Sequence, residues 1–402
     1  MPHPWSELFQ LVDGRPVVSP EVHPLPGLLT LSPQEILENF RVSQARDFAK
    51  VAAAVELPAS PLYGLFAEMR ARVPEDNPFH RLALFRPGAL NAHFVELHEH
   101  VMAHPVWLHP FFLRVFEGRF DKAQALAFAI HYFNQVKNTR QCVAMAIGRF
   151  HGLAPMPYGP LNERISEISQ IMLGQLVADE YGVGAHDLSE YPSLDRLMRS
   201  HTHIAMYRQL FEGLGAAPND QDAPMLQGVA DNVLTQRMLA GDPAFTPLEA
   251  LASVGLGMEW GVPEFFSLLL GGLIRFSWQN EAPLTRRHLE VFIAHVRYDV
   301  LHALAVMLAT AFHMRNDNDV DAVKDACNTL MAARHDMMSD MHWHVFGEPC
   351  PRLAEIGVAP RYRLRDGRAA EQLIRARRSV APERVVDGEA YRERADAPFV
   401  LA

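Results

Sequence analysis

Between residues 89 and 343 the apolar positions recur at helical spacing, in long runs parted by short Pro- and Gly-rich connections. The pattern predicts helices over 92–103, 113–117, 121–151, 161–180, 193–214, 247–259, 263–276, 285–315 and 320–343, with a turn or short helix at Pro105–Pro110. No alternating apolar–polar run of useful length points to a strand. The punctuation agrees: Asp121 stands where a helix needs a cap, and Gly118, Gly182 and Gly215 stand where helices should stop. Upstream, residues 1–30 are Pro-rich. Ser32-Pro33-Gln34-Glu35 then has the form of a capping box and opens a helix to about Val55, with a shorter one near Leu62–Ala71. The expected class is all-α. Residues 1–88 read as an N-terminal helical extension, 89–349 as the core and 350–402 as a C-terminal tail, arm or short hairpin around Asp366-Gly367. That last segment carries 11 Arg against 8 acidic residues and has little apolar periodicity.

Composition narrows the function classes. A chain of 402 residues with 49% apolar side chains has ample material for a core. Its net charge of −10 argues against nucleic acid or an anionic membrane surface as the main partner. Cys142, Cys327 and Cys350 are far apart, which fits a reducing cytoplasm and no disulfide framework. The longest apolar run, Phe265–Ile274, is too short to span a bilayer.

The segment His295-Val-Arg-Tyr-Asp299-Val-Leu-His302 concentrates the chemistry. At about 100° per residue, Asp299 lies roughly 40° round from His295, and His302 roughly 20° to the other side. The three side chains share one stripe of a helix whose neighbours Phe292, Ile293, Val296 and Val306 are apolar, so the stripe faces a core. Two imidazoles and a carboxylate can bind a first-row metal. Without a partner they would be costly to bury. Three other places offer partners: Asp179-Glu180 at a helix C-terminus, where acids oppose the macrodipole unless a cation holds them; His201-Thr-His203; and Glu259, a lone acid in an apolar segment.

These places together resemble a family. His104-Pro105 with Phe111-Phe112 and Gly118, then Asp179-Glu180-Tyr-Gly-Val-Gly, His203-Ile-Ala-Met-Tyr207 with Gly215, Glu259 before Val262-Pro263, and His295-x3-Asp299-x2-His302 are similar, in this order, to the motifs of haem-oxygenase-like diiron oxidases, relatives of the TenA and PqqC proteins. The resemblance implies a bundle of about seven core helices and six iron ligands: Glu180, His203, Glu259, His295, Asp299 and His302. It implies two Fe(II) ions, O2 as co-substrate, a small-molecule substrate, an external electron donor and a homodimer. The gap from Glu180 to His203 is longer than in the family's pattern, so His186 and His201 stand as rivals to His203, and Asp179 as a rival to Glu180.

Two ferrous ions can reduce O2 by two electrons. Family members that N-oxygenate amines carry an extra carboxylate on the helix before the Asp-Glu segment. Lys122–Asn162 contains no Asp or Glu; His131, Asn134, Gln135 and His151 are its polar candidates. That favours C–H abstraction, leading to desaturation or C–C cleavage of an amino or fatty acid, over N-oxygenation. Lys137, Arg140 and Arg149 could pair a substrate carboxylate, and Phe128, Met206, Trp260 and Phe292 could line an apolar cavity. A metal-free enzyme of the TenA or PqqC kind, a haem protein with one axial His and a helical binding protein are the other readings.

Overall fold

The computed structural model describes residues 28–55, 57–72, 74–76, 89–153, 162–182, 202–217, 222–279, 284–314, 318–350 and 367–394. These residues are all-α: the one pairing of extended backbone is an isolated bridge between Met225 and Val385. No described helix is long and apolar enough to cross a membrane.

In chain order the helices are α1 (Pro33–Val55), α2 (Pro61–Arg72), α3 (Ala89–Met102), α4 (Pro110–Phe116), α5 (Lys122–Ile147), α6 (Asn162–Glu180), α7 (His203–Leu214), α8 (Gln227–Gly241) and α9 (Pro247–Leu251). A π-helix, Ala252–Glu259, continues α9. Then come α10 (Val262–Trp278), α11 (Arg286–His313), α12 (Asn318–Phe346), α13 (Gly367–Arg378) and α14 (Gly388–Glu393). Helices α5 to α8 and α10 to α12 form the central bundle, with the π-helix packed between α11 and α12.

The caps are those the sequence announces. Glu35 N–H donates to Ser32 Oγ and Ser32 N–H to Glu35 Oε2, closing a capping box at α1. Asp121 and Gln124 do the same at α5. Two boundaries and one whole helix differ from expectation. Helix α5 stops at Ile147 rather than near His151. Helix α7 begins at His203, capped by Thr202 Oγ1, rather than at Ser193; residues 183–201 lie outside the described set. Helix α8 is absent from the sequence reading altogether, because Asp231, Asn232, Thr235 and Gln236 are buried in the middle of it, between apolar Val229 and Met238-Leu239. That removes the apolar stripe on which periodicity depends. These groups bond within the bundle, Asn138 Nδ2–H donating to Gln236 Oε1 and Asn232 Nδ2–H to Gln135 Oε1.

The two ends of the chain pack on the bundle. Phe40 and Phe48 of α1 share one continuous core with α3, α10 and α11. At the other end, Gly367 starts a helix rather than the tip of a hairpin. Arg377 of α13 is fully buried and clamps both carboxylate oxygens of Asp231 on α8, and the Tyr391 hydroxyl donates to the same carboxylate. The Arg-rich segment is therefore, in part, an arm bound to its own body.

Candidate metal centre

The six residues of the expected set converge from four elements. Glu180 ends α6, His203 begins α7, Glu259 ends the π-helix, and His295, Asp299 and His302 lie on α11. All six are buried. They fall into two groups of three, Glu180/His203/His295 and Glu259/Asp299/His302, and in each group one donor atom per residue lies within 4.8 Å of the others. Asp299 follows His295 by four residues, a rise of about 6 Å along the helix, so the two groups sit on successive turns of α11.

In the first group His203 Nδ1–H donates to Glu180 Oε1 over 2.8 Å. The His203 and His295 rings lie 4.3 Å apart. His295 Nδ1 stands 2.6 Å from the Val291 carbonyl oxygen, which can only accept, so the ring proton is on Nδ1 and the Nε2 lone pair is left for a ligand. Phe266 stacks on this ring at 4.6 Å and fixes its plane. Burial and the neighbouring His203 push His295 down to about 3, so it stays a neutral donor. Burial opposes the charges of Glu180 and His203, but each holds the other ionised: the carboxyl is lowered and the imidazole raised.

In the second group His302 Nε2–H donates to Asp179 Oδ2 over 2.9 Å. The opposite nitrogen, Nδ1, faces Glu259 Oε2 at 3.5 Å and Asp299 Oδ1 at 3.6 Å. Neither approach is a good hydrogen bond. His302 Nδ1 and Asp299 Oδ2 are buried with no partner among the described residues. Burial works against the charge on His302, yet the Asp179 hydrogen bond and the nearby carboxylates hold it up to about 11. Burial, then the Glu259 charge, raises Asp299 well above the carboxylate range. Orphaned donors on an imidazole and a carboxylate that face a second carboxylate fit a divalent cation, and their cost is otherwise unrelieved.

Asp179 thus takes a different part from that of a rival to Glu180. It aims the far nitrogen of His302, as carboxylates behind metal-bound histidines do. Both acids at the C-terminus of α6 are held by imidazoles, which offsets the unfavourable end of the helix dipole. Of the other rivals, His186 and His201 lie outside the described residues.

A cavity of about 30 Å³ opens onto both groups. Glu180, Glu259, His295 and Asp299 border it, together with Tyr132, Gln135, Val136 and Thr139 of α5. The face of α5 turned to the donors therefore carries no carboxylate. The expected cavity-lining residues Phe128, Met206, Trp260 and Phe292 are buried in the core instead, and Val262, Phe265 and Phe266 supply the apolar wall. The expected cations are occupied elsewhere. Lys137 lies over the Phe133 ring, Arg140 over the Tyr181 ring, and Arg149 donates to the carbonyls of Asp242 and Phe245. Arg149 borders a separate cavity of about 370 Å³, where Arg368 is paired with Glu249. That space is larger, but none of the six donors lines it. The cation at the smaller cavity is Arg334 of α12, which the sequence reading missed. Its signal was there to find: a lone Arg following Leu330-Met331-Ala332-Ala333, with Met337-Met338 just beyond.

No family model matches the chain, nor does any curated protein. Among solved structures, a TenA homolog from Pseudomonas syringae pv. tomato is similar over 63% of this chain and 91% of its own, with a TM-score of 0.45 and 8% sequence identity.

Proposed function

We propose that this chain is a non-haem diiron, O2-dependent oxidoreductase that acts on a small organic substrate by hydrogen abstraction, leading to desaturation or C–C cleavage. The observation that carries the reading is the pairing of two buried three-donor groups, each with two carboxylates or two imidazoles, one of which holds orphaned polar atoms. Three His and three carboxylates from facing helices suit Fe(II) at both positions. When bound, two ferrous ions supply the electrons that reduce O2 and the oxidising power for a C–H bond.

The residues of the chain account for the rest. Glu180, His203 and His295 would hold one ion, and Glu259, Asp299 and His302 the other. The Val291 carbonyl and Asp179 fix which ring nitrogen of His295 and His302 is turned inward, and His302 would give up its Nδ1 proton on binding an ion. Phe265, Phe266 and Val262 keep bulk water from the cavity wall. N-oxygenation is the lesser reading, since Tyr132, Gln135, Val136 and Thr139 offer no further carboxylate on the α5 side.

The test is an anaerobic Fe(II) titration followed by an O2 pulse watched by stopped-flow absorbance. Saturation near two irons per chain with a transient visible band supports the proposal. No iron uptake and no band would refute it. The His203–Glu180 and His302–Asp179 hydrogen bonds would then be a polar network of a metal-free enzyme.

A further inference from the structure

The geometry points to Arg334 as the anchor for a carboxylate on the substrate, which makes that substrate a small organic acid; this rests on the small cavity being the reaction chamber. Arg334 is 3% exposed. A guanidinium stays charged in any protein environment, and burying it without an anion is costly. Nearly every other buried charge in the described core has its partner: Arg377 has Asp231, Glu180 has His203 and His302 has Asp179. Arg334 has no ion pair among the described residues. Among the described residues its one hydrogen bond is a long one of 3.3 Å, from Nη2 to the Met258 carbonyl. Its Nη1 is buried with no partner.

The group is nevertheless held firmly. Its guanidinium lies 5.3 Å from the centre of the Phe265 ring and 5.9 Å from that of Trp107. Such stacking orients the plane of the fork without using its N–H groups. The fork therefore borders the cavity oriented and under-bonded. A planar guanidinium of this kind binds carboxylate through two parallel N–H···O bonds. The cavity's size agrees. At roughly 10–15 Å³ per water, a space of about 30 Å³ takes two oxygens' worth of ligand, the bulk of a carboxylate head. Since Glu180, Glu259, His295 and Asp299 border the same space, a carboxylate bound to Arg334 lies beside the donor groups. Glu180 and Glu259 on the same wall would repel an anion, and Arg334 is the cation among the lining residues that offsets them.

The experiment uses the full chain, iron-free, with propionate, butyrate, hexanoate and L-2-aminobutyrate, each beside its primary amide. Binding is read by calorimetry and by the guanidinium 15Nε–H spectrum. At least one acid should bind ten-fold or more tightly than its amide and shift a single buried arginine signal, which Arg334→Lys assigns by its disappearance. Arg334→Gln should weaken that acid about 30-fold or more, the worth of a charge-assisted pair, and Arg334→Lys should recover part of the loss. Amides binding as well as acids, no acid binding, or Arg334→Gln binding the acid like the unmodified chain would overturn the inference. The spectrum of the unmodified chain decides the matter even if Arg334→Gln does not fold. Fe(II) titration of the same proteins separates the two readings. Acid binding through Arg334 without iron uptake would sink the diiron reading and leave the anchor, whereas iron uptake with acid binding indifferent to Arg334 would do the reverse.

Discussion

Glu264, in the first turn of α10, is fully buried, and its carboxyl accepts a hydrogen bond from Gln44 Nε2 over 2.8 Å. Burial pushes its pKa from an ordinary 4.5 to about 8, and no charged group contributes to the shift. The folded chain therefore keeps a proton that the unfolded chain gives up. Where the native state binds more protons, stability falls as pH rises. The loss begins near pH 4.5, runs at about 1.4 kcal/mol per pH unit and levels off near pH 8. Between pH 5.5 and 8 this one group should cost about 3 kcal/mol. Glu264→Gln keeps the shape and removes the titration. At pH 5.5 the variant should be no more stable than the parent, because the new amide places an N–H₂ where Glu264 Oε2 already lacks a partner. By pH 8 the balance should have moved toward the variant by about 3 kcal/mol. Urea unfolding followed by circular dichroism at four pH values between 5.5 and 8.5 gives both curves. A parent–variant difference that stays constant with pH would refute the reasoning.

Four further outcomes are expected. Asp179→Asn should leave the number of irons unchanged while weakening Fe(II) binding by about 10- to 100-fold, as loss of the carboxylate behind a ligating imidazole does; unchanged affinity in an anaerobic titration would show that His302 needs no such support. Glu180→Ala should lower the iron bound per chain by one, measured by colorimetric assay, because the Glu259/Asp299/His302 group is left whole. Arg377→Met should destabilise the chain by about 3–5 kcal/mol in urea by leaving Asp231 buried without its guanidinium, and Fe(II) uptake should not change; a loss under 1 kcal/mol would mean that Tyr391 and Arg394, whose Nη1 lies 3.9 Å from Asp231 Oδ2, suffice for that carboxylate. Gly255→Ala would set a Cβ 2.2 Å from Val306 Cγ1, so a cost of about 1–3 kcal/mol is expected, with Val306→Ala in the same chain restoring much of it.

What could be read ahead of the structure follows from where the information lies. The α11 stripe was legible because residue spacing fixes direction on a helix: His295, Asp299 and His302 do face inward together. Glu259 was legible as an acid with no polar company. The role of Asp179 was not, since nothing in the chain says that the residue before Glu180 points to His302. Helix α8 escaped because the middle of its buried face is polar, and the polarity is matched by side chains of α5 and α13 that lie far off in sequence. Arg334 escaped for a related reason. A cation in an apolar helix is conspicuous, but whether an anion meets it is a property of the packed bundle. The bonding of 252–259 to the fifth residue back leaves no mark on composition at all.

That π-helix ties the ends of the chain's story together. Widened turns of this kind are uncommon and recur at functional sites. Here the widened segment is squeezed between the two longest helices: Gly255 lies against Val306 of α11, and Gly257 against Leu330 of α12. A Cβ at either glycine would stand within 3 Å of those side chains, so the two absent side chains let Glu259 reach the Asp299 and His302 turn. Beyond Glu259 the chain must turn sharply into α10. Gly261 does so at φ 76, against the face of Trp107. This corner is braced from the N-terminal extension. Trp260 Nε1–H donates to His98 Nδ1, and His98 Nε2–H donates to the Arg41 carbonyl of α1. The Phe48 ring of α1 lies 4.7 Å from that of Trp260, and Gln44 of α1 holds Glu264 on the far side of the corner. Helix α1 therefore touches both ends of the bend Trp260–Glu264, which follows directly on the carboxylate of Glu259. The described residues of the extension contribute no donor to the centre, but they fix the strut on which one of the donors stands.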